Sequence, residues 1–168
     1  AQEWAAIEVV ARAGVVCVDK TGNLTDGTIV VEEGIVLEGS ADQAQSALAT
    51  LCSGSDDPES AAILAQSGGP AWEASSRVPF SSDRRWSAVT TAAHGGWAMG
   101  APEALLEKDG PALARAQEFS VLGQRVLALV SAVVDVRGLT GVRPAALVVL
   151  SERVRSDVGP VLRHLTDS

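Results

Sequence analysis

Val-Val-Cys-Val-Asp-Lys-Thr-Gly-Asn-Leu-Thr-Asp-Gly, residues 15–27, contains an abrupt change of chemistry. Four apolar residues end at Asp19, and a polar, glycine-containing loop follows. A short run with no polar interruption is the pattern of a strand covered on both faces. Upstream, Trp4, Ile7, Val10 and Ala11 recur at helical spacing within residues 2–13, and Gly14 ends that pattern. A helix, a buried strand and a polar loop at the strand's carboxyl end point to an α/β sheet. Such sheets bind ligands outside the carboxyl ends of their strands.

Beyond residue 27 the texture changes. Residues 28–39 read as two short strands around Glu33-Gly34, a hairpin. Ser40 or Asp42 caps a helix reaching about Cys52, and Asp57-Pro58-Glu59 opens another that ends at Gly68-Gly69-Pro70. Residues 76–100 read as a pair of strands turning at His94-Gly95-Gly96. Helices follow from Ala101-Pro102-Glu103 and over 111–122, the latter stopped by Gly123. Residues 125–134 and 145–150 read as strands, and 155–165 as a helix. The fold class is therefore α/β with an α+β insert. An antiparallel sheet with flanking helices (28–144) interrupts an outer α/β domain supplied by 1–27 and by a return segment, 145–168.

The 168 residues suit one domain, or one domain with parts of another. A 46% hydrophobic content supports a real core. The net charge of −8 and the lack of a basic stripe argue against a nucleic-acid partner. Cys17 and Cys52 lie apart in apolar surroundings and read as reduced buried thiols. His94 and His164 match no zinc spacing. No signal peptide begins at Ala1, and the longest apolar run, 126–136, is too short to cross a bilayer, so no membrane contact is expected of this chain itself. Ala1 and Ser168 read as cut points.

On its own chemistry, Asp19 reads either as a turn cap or as a nucleophile. A carboxylate can attack phosphorus to form an acyl phosphate. Two anions must then meet, so a cation such as Lys20 and a magnesium ion would reduce their repulsion. Thr21, Gly22 and Thr25 offer partners for phosphate oxygens.

Asp19-Lys20-Thr21-Gly22-Asn23-Leu24-Thr25 resembles the phosphorylation motif of the P-type ATPases, Asp-Lys-Thr-Gly-Thr-Leu-Thr, with Asn23 as the one departure. Those enzymes are membrane cation pumps. Their phosphorylation domain has a haloacid-dehalogenase-like Rossmannoid fold, and a nucleotide-binding domain is inserted after the motif. Further stretches resemble family motifs in the same order. Residues 57–60 are similar to its Pro-Thr-Glu segment near the adenine pocket, which implies a role for Glu59. Residues 79–89 resemble its Phe-x-Ser-x-Arg-Lys strand, which implies that Phe80 stacks on adenine and that Arg85 is the basic residue. Arg84 and Arg85 are adjacent, and in a strand only one of them can face a pocket.

Residues 99–106 resemble Lys-Gly-Ala-Pro-Glu and include Gly100, with Met99 in the place of the lysine. Residues 123–129 resemble Gly-x-Arg-Val-Leu-Ala and imply Arg125 near the phosphates. Residues 152–165 resemble Asp-Pro-Leu-Arg-Pro-Glu and imply Arg155 as a nucleotide-facing arginine. The combination is most similar to the actinobacterial cation pumps.

The resemblance implies ATP as ligand and Mg²⁺ held by Asp19 and the Thr21 carbonyl. It implies transmembrane and actuator domains of the same full-length pump as partners, and a position on the cytoplasmic side of the plasma membrane. The family's later Thr-Gly-Asp loop and Gly-Asp-Gly-x-Asn-Asp stretch are absent from these residues, so the chain alone is expected to bind ATP and catalyse little. Losing the lysine at Met99 implies modest nucleotide affinity. The sheet pieces at both ends would present open edges, which implies self-association between copies. The rival reading is a stand-alone phosphatase of the haloacid dehalogenase superfamily with 28–144 as its cap. Such enzymes carry an acidic residue where this chain has Thr21, and a threonine there fits a long-lived phosphoenzyme better.

Overall fold

The computed structural model describes residues 24–156. The helix expected at 2–13 and the strand expected at 15–18 lie outside them, as do Asp19, Lys20, Thr21 and all but the first two residues of the helix expected at 155–165; residues 155 and 156 are not helical. Residues 29–151 form one compact unit, and the described residues 24–28 and 152–156 belong to a second.

In chain order the elements are β1 (Thr25–Val36), α1 (Ala41–Cys52), α2 (Pro58–Gln66), β2 (Ala74–Ser81), β3 (Trp86–Thr91), β4 (Gly95–Gly100), α3 (Pro102–Leu105), α4 (Pro111–Val121), β5 (Arg125–Asp135) and β6 (Gly138–Val154). The strands form one sheet in the order β1-β6-β5-β4-β3-β2. From β2 through to β6 every neighbouring pair is antiparallel. The expected antiparallel sheet with flanking helices is present.

Side chains alternate along a strand, so a sheet covered on both faces needs two apolar sets out of phase by one residue. The central strands carry both. Trp97 and Met99 of β4, Leu129 of β5, and Val148 and Leu150 of β6 pack with Ala44, Ala47, Leu51, Cys52 and Ile63 of α1 and α2. Ala98 of β4, Val126, Ala128 and Val130 of β5, and Leu147 of β6 pack with Leu105, Leu113 and Ala116 of α3 and α4. The result is helix pair, sheet, helix pair. Burial pushes the Cys52 thiol up to about 11, the Ser60 hydroxyl easing this and Asp57 adding to it, so this thiol stays protonated at neutral pH.

Three sequence expectations change. The hairpin at 28–39 is a single strand, because Gly34 lacks the positive φ that a tight turn requires. The pair of strands at 76–100 is a three-stranded meander, with a second turn at residues 82–85. Residues 145–150, expected to begin a return segment, form the middle of β6 and cross both apolar clusters.

Close strand spacing depends on glycine where neighbours crowd the backbone. An ideal Cβ on Gly96 would lie 2.3 Å from the Ala132 carbonyl oxygen and 2.9 Å from Val134 Cγ2. Gly96→Ala should therefore destabilise the chain by roughly 2 kcal/mol, lowering Tm by about 4–8 °C in a thermal melt followed by circular dichroism. An unchanged Tm would show that β4 and β5 can separate at no cost.

Candidate functional site

The antiparallel registers decide which strand ends share a sheet edge. Ser81 stands opposite Trp86, Trp86 opposite Gly100, Gly100 opposite Ala128, and Arg125 opposite Leu150. Phe80, Arg85, Gly100 and Arg125 are thus gathered at one end of the sheet. The ends of Thr91 and Gly95 are at the other.

Glu59 joins this end from α2. The local sequence explains its position. Asp57 caps α2, its carboxylate accepting from the Ser60 amide at 2.9 Å and from the Ser60 hydroxyl at 2.7 Å, and Pro58 occupies the first turn. Glu59 follows in that turn and forms an ion pair with Arg125 of β5. The Arg125 side chain is 68% exposed and that of Glu59 is 21%. Burial raises the Glu59 carboxyl above its ordinary range; Arg125 opposes the rise and Asp57 adds to it. Burial would raise Asp57 as well, but bonds from Ser55, Ser60 and the Glu59 amide outweigh that and hold it below the usual carboxylate range.

Phe80 reaches this face through a bulge. Arg77 pairs with Val89 and Val78 with Ala88, but Ser81 pairs with Trp86, so three steps along β2 answer two along β3. Val78, Ala88 and Trp86 all belong to the α3/α4 side. Ser81 shares the face of Trp86, so Phe80 beside it turns to the opposite face. That face carries Ser87 and, in the strands beyond, Met99, Leu127 and Arg125. Phe80 is 62% exposed and belongs to neither apolar cluster.

Arg84 and Arg85 are in the turn at 82–85, so strand alternation does not choose between them. Arg85 takes a left-handed backbone, φ 62°, and its carbonyl accepts from the Ala101 amide at 2.9 Å. Gly100 lies beneath: a Cβ there would come within 2.2 Å of the Arg85 carbonyl oxygen and 2.6 Å of Trp86 Cα. Met99 is 8% exposed and packs in the core, forming an apolar floor where the family pattern has a lysine. Arg155 is exposed in the second unit, where its amide donates to the Leu24 carbonyl at 3.0 Å. Among the described residues no cluster of His, Cys, Asp and Glu is arranged to hold a metal ion.

Two features escaped the sequence reading. Arg77 donates from Nη1 to the Thr50 carbonyl at 2.8 Å and from Nη2 to Ser53 Oγ at 3.2 Å, placing a cation at the carboxyl end of α1. At the other end of the sheet Trp72 stacks on His94, with centroids 4.0 Å apart, beside an open cleft of about 360 Å³. Arg77 and Trp72 belong to no local motif, and His94 reads only as part of a turn.

No protein-family model matches the chain. The calcium-transporting ATPase CtpE of Mycolicibacterium smegmatis is 40% identical over 169 residues, which cover 96% of this chain and 21% of that protein. The chain is homologous to a segment of the cation-transporting P-type ATPases. It spans about a fifth of the length of these curated relatives. Solved P-type ATPases share its fold. A zinc-transporting PIB-type ATPase superposes with a TM-score of 0.69 at 20% identity, covering 97% of this chain and 25% of that one. The catalytic CPx-ATPase domain CopB-B superposes with a TM-score of 0.57 at 19% identity, covering 96% of this chain and 51% of that one. In this chain the Asp57 cap of α2 gives a pH-dependent contribution.

Replacing Asp57 with alanine should cost about 1 kcal/mol at pH 7 in urea unfolding. Its folded carboxyl lies below the ordinary value, so the contribution is present above about pH 4 and is lost as pH falls through the folded value. The gap between wild type and variant should narrow at pH 3. An equal gap at both pH values would mean that the ionised cap contributes nothing.

Proposed function

We propose that residues 29–151 bind ATP at the sheet end carrying Glu59, Phe80, Arg85, Gly100 and Arg125, within a P-type cation pump. The observation that carries this reading is the exposed Phe80 ring on the same sheet face as the Arg125 guanidinium, above the apolar floor of Met99 and Leu127. An adenine ring is flat and apolar on its faces and suits an exposed aromatic. A phosphate chain needs a cation it can share. Gly100 keeps the floor low, and Glu59 borders the pocket from α2 while orienting Arg125.

The chemistry then follows in the intact pump. Asp19 attacks the γ-phosphorus of ATP, the bond to the β-phosphate oxygen breaks, and ADP leaves. Lys20 offsets charge between the two anions. Magnesium would supply further charge neutralisation, with Asp19 and Thr21 as the proposed contacts. By its resemblance to the family motif, Arg155 is taken as a nucleotide-binding arginine of the intact pump. Hydrolysis of the aspartyl phosphate is coupled to cation movement through transmembrane and actuator domains of the same protein, which places this segment on the cytoplasmic side of the membrane.

An ATP titration followed by heteronuclear NMR tests the site. Shifts should cluster at Glu59, Phe80, Gly100 and Arg125 and weaken at least several-fold in Phe80→Ala. Shifts elsewhere, or none at millimolar ATP, would overturn the assignment. Met99→Lys should tighten ATP more than adenosine, because the added cation acts on phosphate; equal affinity for ATP before and after would remove Met99 from the account of affinity.

A further inference from the structure

We propose that Arg84 is a positioning residue for adenine binding, acting through the bulge that presents Phe80. This rests on the nucleotide reading of the site above. Arg84 Nη2 donates to the Pro79 carbonyl at 2.8 Å, and Pro79 is the residue next to Phe80 inside the register shift between Val78 and Ser81. The same guanidinium lies over the Trp86 ring, 5.3 Å from its centroid. Trp86 is itself buried among the α3/α4 cluster. The turn closes on the bulge from its own backbone too: the Arg84 amide donates to Ser81 Oγ at 3.3 Å and the Arg85 amide to the Ser81 carbonyl at 2.7 Å.

The geometry gives Arg84 a different task from phosphate binding. A bulge leaves a residue of one strand without a ladder partner, and its exposed carbonyl can be held by a side-chain donor in place of water. Arg84 supplies that donor from a seat fixed by a cation–π contact with a buried ring. Its cation is therefore engaged on the α3/α4 side of the sheet, whereas Phe80 turns to the other face. Without Arg84 that side-chain donor is lost and the backbone at residues 79–80 can rotate within the bulge, turning the Phe80 ring away from the face it now occupies; Pro79 has no N–H and the Arg85 amide still holds Ser81, so regular pairing is not restored.

The experiment uses the 168-residue chain and compares adenosine, which has no phosphate, with ATP. Arg84→Ala should weaken both ligands by the same factor, roughly three- to tenfold, and Arg84→Lys should recover part of the loss for both. In a Phe80→Ala background Arg84→Ala should have no further effect, since the two residues act as one unit. In the ligand-free spectrum, Arg84→Ala should shift Phe80 ring resonances and leave those of α1 and α4 unchanged, which separates repositioning from unfolding. A loss confined to ATP would overturn the proposal by making Arg84 a phosphate contact. Unchanged adenosine affinity in Arg84→Ala, with a loss in Phe80→Ala, would overturn it while leaving the nucleotide site intact. Unchanged adenosine affinity in Phe80→Ala would overturn both.

Discussion

A sheet covered on both faces leaves few places for polar chemistry, and the rest of this structure follows from that constraint. Leu129, Leu147 and Leu150 are at most 1% exposed in the middle of the sheet, with helices on either side. A charged group there would lose its hydration without a partner. Charges that act on a ligand must therefore come from strand ends, first turns of helices, or bulges. Arg125 opens β5, Glu59 lies in the first turn of α2, and Phe80 is delivered by a bulge in β2. Each is held at the edge of the same apolar slab that fixes the register.

Much of this architecture is written in local signals. Asp57-Pro58 marks the start of α2, Gly123 with φ 78° follows α4, and the apolar run at 125–134 forms β5 almost to the residue. What the sequence hides has physical reasons. Gly34 is in an exposed stretch where glycine serves equally as turn or strand, and only its φ decides. The first half of β6 contains Gly141 and Pro144, residue types disfavoured inside strands. Pro144 instead pairs with Val130 at a register shift, where a missing donor is tolerated. The candidate residues Glu59, Phe80, Gly100 and Arg125 are named by motif resemblance. Their common sheet end came from register, which no single stretch encodes. Residues 82–85 form a turn rather than strand, so alternation does not decide between Arg84 and Arg85.

Arg85 shows how the turn balances local cost against global need. A left-handed conformation costs a residue with a Cβ roughly 1–2 kcal/mol. Here it aims the Arg85 carbonyl at the Ala101 amide and allows Trp86 to pass close over Gly100. The strain is repaid by burial of Trp86 against Ala88, Ala98 and Leu105. Glycine at 85 would relieve the strain but remove the guanidinium from this end of the sheet.

The compact unit begins at Ile29 on β1 and ends at Ser151 on β6, two neighbouring strands. Near those ends the Ser151 hydroxyl donates to the Glu32 carboxylate, and the Leu37 amide donates to the Ala145 carbonyl at 2.8 Å. A folded body whose first and last strands are neighbours asks little of any polypeptide that receives it. It can be spliced into a surface loop of an unrelated host without prising that host's backbone apart, because the closure entropy is met inside the guest. Joining 151 to 29 by a short linker and opening the chain elsewhere would likewise preserve the sheet. The topology makes this body a portable cassette.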